Sequence, residues 1–305
     1  MALAIIFPFP GSTPLAASLA SRLGADTGIL TTRKFPDGET YLRYDTDIRG
    51  KEIAFVCTLN DPNAKLVALL LAAQAARELG AVKIGLIAPY LAYMRQDARF
   101  LPGEAVTSRT VAHLISRYFD WLVTVDPHLH RYRNLSEIYS IRSSVVHAAP
   151  AISAWIKANV QDPYLVGPDV ESVQWVCDIA QEVGAPYATL KKHRQSDHQV
   201  WLEPVDVTAM KGRNPVLVDD IISSGETMLE AVQMLKASGV TAPVCIAVHG
   251  LFADDAEERI AGLGAKIVTT NSIPGSLSHI RLDDLIATGV RQLDIAPTSP
   301  SIETP

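Results

Sequence analysis

The sequence has few cysteines, and their placement argues against a metal site. Three occur among 305 residues, Cys57, Cys177 and Cys245, and they are far apart in the chain. Each lies in an apolar segment, so we expect buried thiols in a reducing cytoplasm.

The chain also lacks an excess of positive charge. Lys and Arg number 27 against 33 Asp and Glu, which gives a net charge of -6. No overall basic field would therefore attract a nucleic-acid backbone. We expect no nucleic-acid partner, and any anionic ligand must be bound by local groups.

Long hydrophobic runs are absent as well. The richest, Leu66–Ala76, lies between Lys65 and Arg77 and is too short to span a membrane, which takes about 20 residues. No basic residue precedes Arg22, and Pro8 interrupts the first apolar run. The sequence thus predicts no export signal, no membrane partner and a cytoplasmic location.

The chain does have the composition of a globular protein with two cores: 48% hydrophobic and 20% charged residues. Short β-rich segments alternate with longer helical ones, which predicts mostly parallel sheets with crossover helices. The first set is Ile53–Cys57, Ala64–Glu78, Lys83–Ala88, Ser108–Tyr118 and Trp121–Val125. The second set is Tyr164–Val166, Glu171–Glu182, Tyr187–Leu190, Val216–Val218, Glu226–Ser238, Val244–Val248 and Lys266–Thr270.

The alternation pauses near Val145–Pro150 and then restarts, so we predict two domains of similar architecture. The first covers residues 1–147 and the second 148–290, followed by a tail, 291–305, that is rich in Pro, Ser and Thr after Pro297. In open parallel sheets, ligands bind beyond the carboxyl ends of the strands. Polar residues directly after strands are therefore the candidate site.

One such place follows the apolar strand Val216–Val218. Asp219 and Asp220 form an acidic pair, and Ser223–Thr227 is a loop that begins a helix. Two carboxylates can accept hydrogen bonds from a vicinal diol, while hydroxyls and backbone N–H groups at a helix start can bind a phosphate dianion. The alternative is a strand with an acidic turn and a Ser N-cap.

The order of these parts resembles the 5-phosphoribosyl-1-pyrophosphate (PRPP) binding motif of type I phosphoribosyltransferases. The resemblance implies that Asp219 and Asp220 bind the ribose hydroxyls. It also implies that the 5-phosphate is bound by Ser223, Ser224, Gly225, Glu226 and Thr227. Glu226 departs from the motif, in which a small residue is often found at this position. Because a carboxylate facing the phosphate would repel it, we expect the side chain to point outward and the backbone N–H to bind the phosphate.

Two further segments bear on whether PRPP is made or used. Tyr90–Arg99 follows a strand and places Arg95 and Arg99 four residues apart, on one face if the segment is helical. Guanidinium groups suit triphosphate oxygens. Phe35–Glu39 has the Pro, Asp and Gly of a turn, where Phe has no obvious purpose. Taken alone, the first segment could be a solvated polar loop and the second an ordinary turn.

Both segments resemble motifs of the ribose-phosphate pyrophosphokinases, also called PRPP synthetases. The Tyr-x-Arg-Gln-Asp segment of that family contacts ATP, which implies this role for Arg95, Gln96, Asp97 and Arg99. The Phe-x-Asp-x-Glu element binds adenine from the neighbouring subunit. By that match, Phe35 stacks on the base, and Asp37 or Glu39 accepts a hydrogen bond from the exocyclic amine.

Asp126–Arg131 and Gly167–Asp169 also follow strands. A His-x-His pair suggests a transition metal, but no third soft ligand is near in sequence, so a zinc site is poorly supported. The family resemblance instead implies that His128 reaches the magnesium that carries ATP and that Asp169 is a second metal-side ligand. As alternatives, His130 is a surface histidine and Asp169 caps the following helix.

Lys191–Arg194 is a basic cluster beside a hairpin-like excursion that includes Gln199–Pro204. Such a cluster is ordinarily a solvated basic turn. It resembles the Lys-x-Arg loop of the same family, which implies that Lys192 and Arg194 stabilise the transferring group. His193 stands where Arg is more frequent, so its role stays open.

The resemblance spans nearly the whole chain and implies a fold, an activity and partners. The fold is α/β, with two tandem type I phosphoribosyltransferase-like domains, each a mostly parallel sheet flanked by helices. The implied activity is ribose-phosphate diphosphokinase, in which the β,γ-diphosphoryl group of ATP moves to the C1 hydroxyl of ribose 5-phosphate with Mg²⁺. Adenine capture across a subunit boundary implies a homodimer or a larger homo-oligomer.

Phe100–Ala105 departs from the Ser/Arg-bearing segment associated with phosphate activation and ADP inhibition, and it is closer to archaeal-type variants. Two rival functions remain. A phosphoribosyltransferase that consumes PRPP would share the Asp219–Thr227 loop, but it leaves Phe35–Glu39 and Arg95–Arg99 unexplained. A non-catalytic regulatory subunit would keep the fold, although the chain still has the residues of the proposed chemistry: Lys192, Arg194, His128 and Asp219.

Overall fold

The computed structural model describes residues 3–129, 131–169, 172–190, 192–196, 199–202 and 207–295. His130, Lys191 and the tail beyond residue 295 lie outside these ranges, and so do the expectations made for them. Residues 192–196 and 199–202 are described in their backbone.

The strands of the described chain are, in order, β1 Ile5–Pro8, β2 Asp26–Thr27, β3 Leu30–Lys34, β4 Thr40–Tyr44, β5 Glu52–Val56, β6 Lys83–Ala88, β7 Trp121–Val125, β8 Arg142–Val146, β9 Pro163–Gly167, β10 Tyr187–Thr189, β11 Lys192–Ser196, β12 Gln199–Leu202, β13 Asn214–Ile222, β14 Val244–Gly250, β15 Lys266–Thr270 and β16 Ser278–Ile280. The α-helices are α1 Thr13–Leu23, α2 Pro62–Glu78, α3 Thr107–Tyr118, α4 Ala149–Asn159, α5 Val173–Val183, α6 Glu226–Ala237, α7 Ala256–Gly262 and α8 Asp283–Ile295. Short 3₁₀ turns cover Leu135–Glu137 and Val207–Met210.

The chain divides into two compact units. The first contains the residues up to Val146 together with the segment that begins at Asp283, and the second is His147–Leu282. The first unit has a parallel sheet in the order β2-β1-β5-β6-β7-β8. Its central strands β5, β6 and β7 are buried along almost their whole length, as parallel strands covered on both faces should be.

The second unit repeats this architecture. Its sheet has the order β10-β9-β13-β14-β15-β16, again with parallel neighbours. The core between this sheet and its helices includes Val166, Leu217, Val232, Cys245 and Ile267. The predicted α/β fold with two mostly parallel sheets is thus confirmed.

Most predicted elements are present within a few residues. Lys83–Ala88, Trp121–Val125 and Lys266–Thr270 are strands with the predicted bounds. The helix predicted from Glu171 begins at Val173. Several elements were not predicted at all: β1, α1, the antiparallel pair β3–β4, α4 and α8.

The predicted end of the second domain at residue 290 differs from the structure. α8 packs on α1, β7 and β8 of the first unit. Asp284 accepts a hydrogen bond from Arg22 Nε at 2.7 Å, and Gly289 lies so close to Val146 that an added Cβ would come within 2.7 Å of its side chain. The second unit therefore ends at Leu282, because α8 completes the core of the first.

All three cysteines are free thiols. Cys57 and Cys245 are buried, as expected, and burial raises the pKa of each to about 12, which makes both thiols unreactive. Cys177 is only partly buried, contrary to expectation.

Across the described residues, the helices are too short or too polar to cross a bilayer.

Candidate active site

The acidic pair and the phosphate loop lie where β13 ends and α6 begins. Gly225 precedes the first helical residue and has φ +75°, a left-handed conformation that favours glycine. A Cβ at this position would come within 3.1 Å of Ala256 Cβ and 3.2 Å of Ile260 Cδ1. The close approach of α7 and the positive φ together explain why glycine stands here.

Asp219 is placed among other carboxyl groups. Its Oδ1 accepts the backbone N–H of Asp220 at 3.0 Å. Burial raises its pKa well above the ordinary value, and the neighbouring charges of Asp220 and Asp169 raise it further. The second unit therefore concentrates negative charge at the carboxyl edge of its sheet, where hydroxyl donors or a cation would relieve the repulsion.

Asp169 follows β9 and has a local structural partner. Its Oδ1 accepts the backbone N–H of Ser172 at 3.1 Å, and its carbonyl oxygen accepts the Ser172 hydroxyl at 2.7 Å. Ser172 directly precedes α5. Asp169 thus contacts Ser172, the N-cap residue of α5, but is not itself the cap that the alternative interpretation held, and its metal-side role stays a prediction.

Glu226 is the first residue of α6, and its side chain is about half exposed. Its Oε1 lies 2.7 Å from Arg259 Nη1 on α7. The carboxylate is thus drawn to a cation on the neighbouring helix, in agreement with the expectation that it points outward. The expected contact of its backbone N–H with phosphate stays a prediction.

In the first unit, the segment after β6 is not helical, so Arg95 and Arg99 do not share a helix face. Both arginines are exposed, and Gln96 is partly buried. Asp97 differs from them, because its side chain is only 2% exposed and Oδ1 lies 2.8 Å from Arg131 Nη1. The carboxylate of Asp97 is therefore engaged within the protein, and its predicted contact with ATP stays untested.

A cavity of about 420 Å³ lies beside this segment. Three of its lining residues are cationic, Arg99, Arg109 and Arg131, and Tyr132 and Glu137 also contribute. Sequence reasoning assigned no role to Arg109, Arg131 or Tyr132. Arg131 was visible in the Asp126–Arg131 motif, but its contact with Asp97 joins residues far apart in the chain.

Phe35–Glu39 connects β3 to β4 at the exposed end of an antiparallel hairpin. Phe35 N–H donates to the Glu39 carbonyl at 2.8 Å, and Gly38 has φ +93°. Phe35 is 38% exposed, and its ring lies edge-on to Tyr41 with the Arg33 guanidinium 4.6 Å from its centroid. The hairpin therefore presents an aromatic ring and two carboxylates to the outside of the chain.

His128 follows β7 and is partly buried, while Asp126 is buried and has φ +31°. Among the described residues, no three His, Cys, Asp or Glu side chains are grouped to hold a metal ion.

The expected hairpin around Lys192 and Arg194 is present in the backbone, since β11 pairs antiparallel with β12 and Lys192 lies opposite Leu202. The roles expected of these two side chains lie outside what the structure describes.

Comparison with known proteins decides the family. The profile described as "N-terminal domain of ribose phosphate pyrophosphokinase" matches residues 4–118, and that of the "Phosphoribosyl transferase domain" matches residues 134–272. A ribose-phosphate pyrophosphokinase from Saccharolobus solfataricus is 35% identical over 85% of this chain and 87% of its own length. The chain belongs to the ribose-phosphate pyrophosphokinase family.

Other members of the pyrophosphokinase family agree with this assignment. The enzyme of that name from Thermoplasma volcanium is 31% identical over 95% of this chain and 99% of its own length. A solved phosphoribosylpyrophosphate synthetase from Mycobacterium smegmatis superimposes with a TM-score of 0.84 at 26% identity, covering 96% of this chain and 99% of that one. The similarity to archaeal pyrophosphokinases is as the sequence predicted.

Proposed function

We propose that this chain is a ribose-phosphate diphosphokinase. It transfers the β,γ-diphosphoryl group of ATP to the C1 hydroxyl of ribose 5-phosphate and releases PRPP and AMP. The observation that carries the proposal is the Asp219–Thr227 segment. In a pyrophosphokinase-family chain, it has paired carboxylates, a left-handed Gly225 and a helix start at the carboxyl edge of the sheet.

On the sugar side, each part of the segment has a chemical task. The diol of ribose donates hydrogen bonds to Asp219 and Asp220, which relieves the repulsion that raises the pKa of Asp219. The 5-phosphate is bound by the hydroxyls and backbone N–H groups of Ser223, Ser224, Gly225, Glu226 and Thr227. The ion pair with Arg259 keeps the Glu226 carboxylate from opposing that phosphate.

On the nucleotide side, Arg95, Gln96 and Arg99 bind ATP together with His128. Asp97 belongs to the same family motif, but its carboxylate is already paired with Arg131. Phe35 stacks on adenine, and Asp37 or Glu39 accepts from its amino group. The exposure of the hairpin end supports a base that belongs to another subunit's site, since the ring is available to a neighbour. We therefore propose a homodimer or larger homo-oligomer.

Magnesium fits the donor groups of this chain. Carboxylate and imidazole groups suit a hard ion whose remaining ligands are phosphate oxygens and water. His128 and Asp169 would hold it on the protein side. The ion would neutralise and orient the triphosphate.

The residues of the chain then place the C1 hydroxyl of ribose 5-phosphate next to the β-phosphorus of ATP. Alignment of the C1 hydroxyl with the leaving AMP is a matter of positioning, because phosphoryl transfer needs little covalent assistance. Lys192 and Arg194 stabilise the charge that develops on the transferring group. Closure of their hairpin would also exclude water that competes with the sugar hydroxyl. The free thiols agree with a cytoplasmic location for this reaction.

The test is to incubate the purified chain with ATP, Mg²⁺ and ribose 5-phosphate and to separate the nucleotides. We expect AMP and PRPP in equal amounts, and no AMP when ribose 5-phosphate is omitted. The double variant Asp219→Asn/Asp220→Asn should need far more ribose 5-phosphate. ADP as the product, or no product at all, would contradict the proposed function and favour the rivals.

A further inference from the structure

The segment that carries Arg95 and Arg99 needs external contacts to hold its shape. It lies between the end of β6 at Ala88 and the start of α3 at Thr107, and the structure assigns it no helix or strand. Without a regular backbone ladder, its conformation depends on contacts with other parts of the first unit. Such contacts include Leu59 N–H to the Tyr90 carbonyl and Ser108 N–H to the Gln96 carbonyl, and two more meet at Asp97.

The Asp97 carboxylate is paired with a residue from the segment after β7. Its side chain is 2% exposed and lies 2.8 Å from Arg131 Nη1. A buried carboxylate without a partner would be strongly unfavourable, so the ion pair with Arg131 offsets the cost of burying the Asp97 side chain. The same guanidinium lies 4.9 Å from the centroid of the Phe100 ring, so Arg131 contacts the segment at a second residue.

A second contact holds the backbone at the same residue. The Tyr132 hydroxyl donates to the Asp97 carbonyl oxygen at 3.2 Å, and Tyr132 itself is buried. Arg109 Nε donates to the Tyr132 hydroxyl at 3.3 Å, which orients it. Arg131 and Tyr132, adjacent in sequence, therefore hold both the side chain and the backbone of Asp97.

We propose that Arg131 is a positioning residue for nucleotide binding. Its ion pair with Asp97 joins the segment of His128 to the segment of Arg95 and Arg99, and so fixes the groups that receive the triphosphate in one arrangement. Asp97 then acts through Arg131 and does not itself contact the nucleotide. This inference rests on the proposed function and adds Arg131 and Tyr132 to the residues on which ATP binding depends.

The first test is Arg131→Ala, with KM measured separately for each substrate. We expect KM for MgATP to rise about tenfold or more, because a displacement of about 1 Å in a binding group already has large effects. KM for ribose 5-phosphate should stay within about twofold, since the Asp219–Thr227 segment belongs to the other unit. Arg133→Ala, an exposed arginine on the same segment, is the matched control and should leave both values unchanged.

The second test separates positioning from direct contact. In the double variant Asp97→Asn/Arg131→Gln, two amides can replace the ion pair by a neutral hydrogen bond and leave no buried charge. We expect it to recover most of the MgATP affinity lost in Arg131→Ala. If Arg131 or Asp97 contacted the nucleotide directly, the double variant would be at least as impaired as the single one, and the inference would fail.

Hydrogen exchange gives a measurement that does not depend on turnover. In Arg131→Ala, amides of residues 91–100 should exchange at least about tenfold faster, while those of the second unit should not change. Unchanged exchange in this segment would overturn the inference even if catalysis fell. A wild-type chain that forms no AMP would instead end the proposed function, while the exchange experiment would still decide whether Arg131 holds the segment.

Discussion

Asp219 carries a carboxyl group that the fold places beside two others. Its pKa is raised by burial, by Asp220 and by Asp169, so the folded protein binds the proton more tightly than the unfolded chain does. Stability therefore falls as the pH rises from the unfolded pKa of about 4 towards the higher folded value. In the absence of substrate, this carboxylate opposes folding at neutral pH.

We accordingly predict that Asp219→Asn stabilises the unliganded protein while it impairs binding. The melting temperature at pH 7 should rise by about 4 °C, which corresponds to ~1 kcal/mol for a domain of this size. The gain should disappear at about pH 3 and below, where Asp219 is protonated in both states. Calorimetry from pH 3 to pH 8 measures the stability, and the steady-state KM for ribose 5-phosphate should rise at least about tenfold.

Asp254→Asn is the control for this experiment. Asp254 is an exposed acid in the same unit with φ +55°, a conformation that Asn also adopts readily. It should change neither the melting temperature nor KM. A pH-independent gain in the Asp219 variant would show that the effect does not come from the carboxylate charge.

Glu226 and Arg259 offer a second residue-scale prediction. Arg259→Ala removes the partner at 2.7 Å and lets the Glu226 carboxylate turn towards the phosphate loop. We expect KM for ribose 5-phosphate to rise about fivefold through charge repulsion. The double variant Glu226→Ala/Arg259→Ala should return it to near the wild-type value. Loss of affinity in the double variant equal to that in Arg259→Ala would mean that the arginine acts by another route.

At the scale of elements, the junction of β13 with α6 depends on one glycine. Gly225 combines φ +75° with α7 atoms at 3.1 and 3.2 Å from a built Cβ. Gly239, which follows the same helix, has the same φ of +75° but nothing within 4 Å. The pair therefore separates backbone strain from crowding within one unit.

Gly239→Ala should cost about 1 kcal/mol, the penalty of a left-handed conformation for alanine. Gly225→Ala should cost about 2–3 kcal/mol, because α7 must also move. It should raise KM for ribose 5-phosphate at least tenfold, whereas Gly239→Ala leaves KM unchanged. Urea denaturation measures the loss of stability in each variant, and steady-state kinetics measures KM. An equal loss of stability at the two positions would show that α7 moves to accommodate the added Cβ without a cost in free energy.

At the scale of the whole molecule, the exposed hairpin predicts complementation between subunits. Phe35→Ala should raise KM for ATP without loss of thermal stability, since the ring is partly exposed. Lys192→Ala should reduce turnover by ~10²–10³ with little change in KM for ribose 5-phosphate. A mixed dimer contains one subunit of each variant. If adenine is bound across the subunit boundary, one of its two active sites combines the wild-type Phe35 of one subunit with the wild-type Lys192 of the other.

The measurement is the activity of the two variants at an ATP concentration well below the KM of Phe35→Ala, alone and after subunit exchange. Under that condition we expect the mixture to recover a substantial part of the wild-type activity that neither variant has. Ile29→Ala mixed with Lys192→Ala is a control, because Ile29 is an exposed apolar residue of the same hairpin region outside the proposed site. Failure to complement in a mixture shown to exchange subunits would place Phe35 in the site of its own chain.

The strands and helices that were predicted correctly have strong local patterns. β6, β7 and β15 are short apolar runs between polar segments, and α3 and α6 have apolar residues at helical spacing. The hairpin β3–β4 was missed because only the turn residues Phe35–Glu39 were recognised, while the strand residues around them are largely polar or exposed. Local pattern therefore revealed the buried elements better than the exposed ones.

The placement of α8 could not be read from the chain. Its assignment to the first unit depends on Arg22 with Asp284 and on Val146 with Gly289, pairs that are distant in sequence. The same holds for Arg131 and Asp97, and for Glu226 and Arg259. The residues of each pair are common types that form no sequence motif. They matter because the fold brings them into contact.

The sequence by itself determined the α/β alternation, the family and the order of the motifs. Hydrophobic periodicity and motif spacing depend only on residues that are close together in the chain. Only the tertiary structure decided that α8 packs on the first unit, that Asp97 forms an ion pair with Arg131 and that Glu226 forms one with Arg259. The physical reason is that burial and charge pairing depend on which segments, distant in sequence, pack together.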